Sequence, residues 1–142
     1  MPTAFNGNEW ANRVAVPPVM NKAYVDGGRV RVKYFSWTTS SPTNGDTVNL
    51  CTIPAGAIVL GGRAIWEAMG GSCTLSIGIT GTAAKYANAI DVSSAGQSDF
   101  ANTAALNLYA VPTSEENIFA TMGGANWANA KYVKGHILYA KD

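Results

Sequence analysis

The chain has 142 residues, of which 47% are hydrophobic and only 13% are charged, and its formal net charge is +1. This length suits one domain with a real core, and the apolar content excludes an intrinsically disordered chain. Sequence-independent binding of nucleic acid needs clustered Lys and Arg, and a membrane span needs about 18 to 20 consecutive apolar residues. The sequence contains neither feature, so we expect neither nucleic acid nor membrane as a partner.

The first 26 residues differ in composition from the rest. They combine three prolines with several large apolar side chains, and they follow neither a helical nor a strand period. Disordered tails are usually poor in large apolar residues, so the sequence favours an extended arm that docks on a partner over a disordered tail. The candidate protein-interface residues are Phe5, Trp10, Val14 and Val16. Residues 27–142 are predicted to form one β-sandwich domain.

Period-two alternation predicts most of that domain. It is clearest at residues 73–80, where Cys73, Leu75, Ile77 and Ile79 alternate with small or polar residues, as in a half-buried antiparallel strand. Similar patterns predict strands at 29–37, 47–53, 57–66, 106–111, 117–122 and 130–140. The predicted core residues are Val30, Val32, Leu75, Ile77, Ile79 and Ile137.

Turn signals separate these strands. Asn44-Gly45 and Pro54-Ala55-Gly56 are tight-turn sequences, and Gly61-Gly62 predicts a bulge or bend. Residues 83–91 suit either a short helical turn or a loop leading to a short strand at 90–93, and 93–104 suit a surface excursion. About eight strands at this spacing are typical of an all-β sandwich or barrel.

No pattern of residues predicts catalysis. His136 is the only histidine, and the sequence places neither a carboxylate nor a nucleophile beside it, so we interpret it as a surface or interface residue. Glu115-Glu116 is interpreted as a pair of solvated charges in a connector. Cys51 and Cys73 lack metal-ligand spacing and are predicted to be reduced thiols. We expect no enzyme activity, no metal and no cofactor.

The sequence of the first residues, Met-Pro-Thr-Ala-Phe-Asn, lacks the charged and apolar regions of a signal peptide, which predicts synthesis in a cytoplasm. The four tryptophans are Trp10, Trp37, Trp66 and Trp127. Three of them stand at predicted strand ends, where exposed indoles could stack a sugar. Tryptophan is also a common anchor of protein interfaces, and the low charge favours that alternative.

One segment carries a family resemblance. Residues 45–62 read Gly-Asp-Thr-Val-Asn-Leu-Cys-Thr-Ile-Pro-Ala-Gly-Ala-Ile-Val-Leu-Gly-Gly, and they are followed by Gly-Gly-Ser-Cys-Thr-Leu-Ser-Ile-Gly-Ile and a late Thr-Met-Gly-Gly. The pattern resembles the small β-sandwich proteins that decorate, or cement, the capsids of tailed bacteriophages. It covers roughly residues 29–139.

The resemblance implies an antiparallel jelly-roll-like β-sandwich of about eight strands with no catalytic residues. It also implies a virion structural protein on the capsid exterior, synthesised in the host cytoplasm. Such a protein would bind the major capsid protein as a homo-oligomer, with a trimer favoured, and would bridge capsomers to stabilise the head. The alternative is a phage tail or head-fibre module that binds host-surface glycans through its tryptophans; a small hydrolase is a third, weaker alternative.

Overall fold

The computed structural model describes residues 29–141, and these residues form eight strands and one turn of 3-10 helix. The first four strands are β1 (Arg29–Thr38), β2 (Thr47–Ile53), β3 (Ile58–Trp66) and β4 (Thr74–Ile79). The others are β5 (Thr82–Asp91), β6 (Gly96–Phe100), β7 (Glu116–Gly123) and β8 (Tyr132–Lys141), and the 3-10 turn is Ala104–Leu106. No helix in this part of the chain is long and apolar enough to cross a membrane.

The strands form two four-stranded sheets. One has the order β1-β8-β3-β6, called here the first sheet, and the other has the order β2-β7-β4-β5, called the second sheet. The paired strands are antiparallel, and the chain crosses repeatedly from one sheet to the other. This is the double-sheet jelly-roll arrangement, so the predicted all-β sandwich is confirmed.

The core lies between the two sheets. The second sheet contributes Leu75 and Ile77 from β4 and Ile118 from β7, and the first sheet contributes Val59, Ile137 and the two rings of Phe35 and Phe100. Of the six predicted core residues, Leu75, Ile77 and Ile137 are fully buried and Ile79 is partly buried against the core.

Val30 and Val32 were predicted to be core residues, and that prediction is wrong. Their exposed fractions are 63% and 40%, because the inward face of β1 is the one that carries Phe35 and Trp37. Because side chains alternate along a strand, Phe35 lies on the opposite face from Val30 and Val32. The larger Phe35 side chain buries more apolar area, so its face packs against the core. The valines therefore lie on the outer surface of the sandwich.

The predictions for the middle of the chain also need correction. Residues 82–91 are a full strand paired with β4, rather than a helical turn or a loop, and residues 96–100 form strand β6 within the predicted surface excursion. Their Ala, Asn and Gly content is poor in β-forming residues, so pairing with neighbours decides the conformation.

The strand predicted at 106–111 is absent, since Asn107 and Tyr109 both have left-handed backbones with φ of 59° and 62°. The segment still pairs with β3: Tyr109 N–H donates to Val59 O at 2.7 Å, and Val59 N–H donates to Ala110 O at 2.9 Å. Strand β6 pairs only with residues 62–66 of β3, and these two bonds provide the hydrogen-bond partners of Val59 on the same edge. The predicted irregularity at Gly61-Gly62 is confirmed, because the β3–β8 register shifts between Val59 and Gly61.

Candidate interaction surface

The outer face of the first sheet is the most distinctive surface of the described residues. The register aligns two rows of side chains across its four strands. One row is Tyr34, His136, Arg63 and Asp99; the next is Ser36, Lys134, Ile65 and Gln97. These two rows line most of an open depression of about 680 Å³.

This face is unusually apolar for a surface. Seven large hydrophobic side chains are exposed among the described residues, and five of them lie here: Val30, Val32, Tyr34, Ile65 and Tyr132. Tyr34 is 77% exposed and meets His136 edge-on, with 6.2 Å between ring centroids. The outer face of the second sheet differs, since it carries small polar residues such as Asn49 and Ser76 together with Phe119, which is in register with Asn49. The two faces of the sandwich therefore have different chemistry.

The charges of this face are interspersed with its apolar side chains, because Arg63 and Lys134 stand on the two central strands of the sheet and both line the depression. Arg63 Nε is 3.6 Å from Asp99 Oδ1, and both side chains are about half exposed, so this pair contributes at most about 1 kcal/mol to stability. Lys134 Nζ lies 4.7 Å from the centroid of the Tyr132 ring and makes a cation–π contact with it. Exposed aromatic and aliphatic side chains therefore alternate with charged ones on this face.

The same geometry does not suit acid–base catalysis. His136 lies in register with Tyr34 on one side and Arg63 on the other, so the carboxylate of Asp99 is two strands, or about 10 Å, away. A catalytic histidine needs an orienting partner within hydrogen-bond reach. Within residues 29–141 no three His, Cys, Asp or Glu side chains cluster closely enough to hold a metal ion.

The interpretation of Glu116 as a solvated charge was wrong. Glu116 begins β7, and its carboxylate accepts a hydrogen bond from the Tyr86 hydroxyl at 2.6 Å and forms an ion pair with Lys85. The Lys85 and Glu116 side chains are only 17% and 10% exposed. Burial raises the pKa of the Tyr86 phenol well above its usual range, and the adjacent carboxylate raises it further. Tyr86 thus remains the neutral donor that holds Glu116.

This cluster is structural. Asn107 Nδ2 donates to Lys85 O at 2.7 Å, so the cluster links β5 and β7 to the left-handed turn after the 3-10 helix. Sequence reasoning missed it because Glu116 is distant from Lys85 and Tyr86 along the chain, and only the common pairing of β5 and β7 with β4 brings them together.

Both cysteines are free thiols, which agrees with the sequence prediction. Burial raises the pKa of the Cys51 thiol to about 11, with Lys33 opposing the shift, and burial followed by the charge of Asp91 raises that of Cys73. Such thiols are poor nucleophiles at neutral pH, because the thiolate is the reactive form.

The tryptophans do not form a sugar-binding platform in the described residues. Trp66 and Trp127 are buried in the core, where their indole N–H groups donate to Ser94 O at 2.9 Å and Gly123 O at 3.2 Å, and Trp37 is partly buried against the core. Trp10 lies outside the described residues, as do the other predicted interface residues Phe5, Val14 and Val16. The glycan-binding alternative depended on exposed tryptophans, and Trp37, Trp66 and Trp127 are not exposed.

Comparison with known proteins shows that this chain is similar in structure to chains of solved phage capsids. No family model matches the chain, and no curated protein matches it. A chain in the capsid asymmetric unit of cyanophage Pam1 aligns with a TM-score of 0.67 and 25% identity, over 82% of this chain and 87% of that one.

Two further capsid structures align over similar shares of both chains. A chain from the capsid of Ralstonia phage GP4 has a TM-score of 0.66 and 17% identity, covering 81% of this chain and 86% of that one. A chain from the acid-stable capsid of Helicobacter pylori bacteriophage KHP30 has a TM-score of 0.57 and 20% identity, covering 78% and 86%. These three structural neighbours are phage capsid proteins with a jelly-roll-like fold, and the likeness to the Pam1 chain supports a structural role in a virion.

Proposed function

We propose that this protein is a capsid decoration protein, which binds the outer surface of a phage head, bridges neighbouring capsomers and stabilises the shell. The observation that carries the proposal is the likeness to a chain of the Pam1 capsid over 82% of this chain and 87% of that one. The partner in this proposal is the major capsid protein.

The chemistry of the described surface supports this function. The charged content is low, one face of the sandwich exposes five large hydrophobic side chains, and the other carries small polar groups together with Phe119. A protein that bridges subunits needs at least two different contact surfaces. Since many copies bind one lattice, modest single contacts are sufficient for stable attachment.

The proposal also includes the N-terminal arm. Residues 1–26, with Phe5, Trp10, Val14 and Val16 as anchors, would reach from the sandwich to a neighbouring subunit, and three copies would form a homotrimer. Burying one Trp-sized side chain over about 150–250 Å² is worth about 4–6 kcal/mol before the cost of ordering the segment.

Co-sedimentation with capsids tests the function. Full-length protein is mixed with mature capsids lacking it, and the bound amount is measured against the free concentration. We expect saturable binding at a fixed ratio to the major capsid protein and a higher temperature of DNA release from the coated heads. Absence of binding to capsids, with binding to host cells or to their glycans instead, would contradict the proposal.

A further inference from the structure

Four cationic side chains meet at one end of the sandwich. Arg29, Arg31 and Lys33 occupy alternate positions of β1, so they share its inward face. Lys141, at the end of β8, is directly opposite Arg29. The Lys141 Nζ donates to Ala55 O at 3.0 Å, which places this side chain beside the turn that follows β2.

These four residues are called here the cationic end. Arg29 and Arg31 are exposed, and Lys33 and Lys141 are half-buried. Lys33 lies close enough to Cys51 of β2 to oppose the rise in the pKa of that thiol. The three cations of β1 extend over about 13 Å of the strand. They are not a continuous basic run in the sequence, because valines separate them and the fourth cation comes from β8.

The carboxylates of the described residues do not neutralise these charges. The two ion pairs within residues 29–141 join Arg63 to Asp99 and Lys85 to Glu116, so neither includes a member of the cationic end. Glu115 precedes β7 near the same end and is exposed. Cations therefore outnumber carboxylates at this end of the sandwich.

This arrangement lowers the stability of the folded chain. Arg29 and Lys141 form a directly opposed pair on neighbouring strands, where like charges repel each other. Arg31 adds to the repulsion from the diagonal position. Local features that oppose stability are typical of functional sites, and an acidic partner would relieve the repulsion on binding.

We propose that the cationic end binds an acidic, extended segment of a neighbouring protein. The inference rests on the proposed function, in which that neighbour is the major capsid protein. The spacing of the cations on β1 matches an extended segment, whose side chains on one face also repeat at every second residue. Carboxylates at that period would meet the cations of β1 together, and Arg29 and Arg31 can each hold a carboxylate through two parallel N–H groups.

The surroundings favour a polypeptide over a nucleic acid. Surfaces that bind single-stranded nucleic acid combine cations with exposed aromatic rings on which the bases stack. On the cationic side of β1, Phe35 is buried and Trp37 is half-buried, whereas the exposed Tyr34 lies on the opposite face. Within the described residues β1 is also the end strand of its sheet, so a polypeptide can lie along it.

Peptide binding to the full-length protein tests the inference. The probe is a fluorescent peptide in which Glu and Thr alternate over about eight residues, enough to span the cations of β1, and the control peptide has Gln in place of Glu. Fluorescence anisotropy measures both dissociation constants at low and high NaCl. We expect the acidic peptide to bind at least about tenfold more tightly at low salt, and salt to remove this preference by screening. Equal binding of the two peptides, or binding of neither, would overturn the inference.

Charge-reversal variants locate the site. The variant Arg29→Glu/Arg31→Glu should bind the acidic peptide at least about tenfold more weakly, whereas Lys131→Glu/Lys134→Glu, with the same total charge at the other end of β8, should change binding less than about twofold. The first variant should melt no lower than the unsubstituted protein, because a carboxylate at position 29 faces Lys141. Its weaker binding would then not result from unfolding.

Two further results would contradict the inference. One is equal weakening by the two double variants, which would show an effect of net charge alone. The other is tighter binding of an oligothymidylate of the same charge than of the acidic peptide, which would assign this end to nucleic acid.

Co-sedimentation with capsids separates this inference from the proposed function. Equal attachment of the two double variants would leave the decoration role intact and overturn the inference. If even the unsubstituted protein does not attach to capsids, the decoration role fails, and the peptide measurements still decide whether the cationic end binds acidic segments.

Discussion

The ring of Phe100 on β6 lies directly over Gly62 on β3, and a Cβ at position 62 would be 2.3 Å from Phe100 Cζ. The same arrangement occurs one strand pair away, where a Cβ at Gly135 would be 2.5 Å from Phe35 Cζ. The two phenylalanines are themselves 6.3 Å apart between ring centroids. Two glycines thus make room for two phenylalanine rings on the inner side of the first sheet.

We expect Gly62→Ala to lower the free energy of unfolding by about 1–3 kcal/mol, because the added methyl group overlaps the Phe100 ring and the His136 carbonyl. Chemical denaturation measures the loss. Gly71→Ala is the matched control, since a Cβ there meets no atom within 4 Å, and it should change stability by less than about 0.5 kcal/mol. Phe100→Leu in the Gly62→Ala background should recover part of the loss; a fully additive double variant would contradict the overlap.

The two faces of the sandwich should respond differently to truncation. Leu75→Ala and Ile77→Ala should each cost about 2–5 kcal/mol, because both side chains are fully buried. Val30→Ala and Val32→Ala should each cost less than about 0.5 kcal/mol in the monomer. Urea unfolding at a concentration at which the protein is monomeric measures all four. Equal losses on the two faces would show that β1 is turned the other way.

The Glu116 cluster should behave as a coupled unit. We expect Glu116→Gln and Lys85→Met each to cost about 1–3 kcal/mol, because each leaves a mostly buried partner without its charge. In the double variant the loss should be smaller than the sum of the two single losses, since no unpaired charge remains. A double-mutant cycle by denaturation measures this coupling, and strict additivity would show that the ion pair contributes nothing.

Stability should fall in alkaline solution. Burial raises the folded-state pKa of Cys51 from about 9 to about 11. Between these pH values the thiol ionises in the unfolded chain but not in the folded protein. The contribution of Cys51 to the free energy of unfolding is therefore complete below pH 9 and is lost as the pH rises towards 11. One such thiol contributes a slope of at most about 1.4 kcal/mol per pH unit. Cys51→Ala should have a shallower slope than the unsubstituted protein between pH 9 and 10.5. Denaturation curves at several pH values measure both slopes, and parallel slopes would refute the expectation.

Removal of residues 1–20 should leave the sandwich folded, because residues 29–141 form two four-stranded sheets with a shared core. We expect the melting temperature of the monomer to change little and the self-association or capsid attachment to weaken. Circular dichroism, thermal melting and co-sedimentation of truncated and full-length protein make the comparison. A truncated protein that fails to fold would place the arm in the core, and one that associates as well as the full chain would make it a tail.

The sequence by itself determined the strands in which apolar and polar residues alternate and the turns between them. Residues 73–80 are the best example, because a strand with one buried face needs that alternation and few other structures permit it. The Gly61-Gly62 bulge was also predictable, since glycine inside an apolar strand is rare without a local reason.

Only the tertiary structure decided which face of β1 is buried, that residues 82–91 form a strand, and that Glu116 meets Lys85 and Tyr86. Alternation gives two faces without stating which one is covered, and the choice depends on how much area Phe35 buries compared with Val32. The outer face of the first sheet depends on the same choice. Its two rows of side chains come from four strands spread over some hundred residues of sequence, so hydrogen-bond register, rather than local pattern, brings them together.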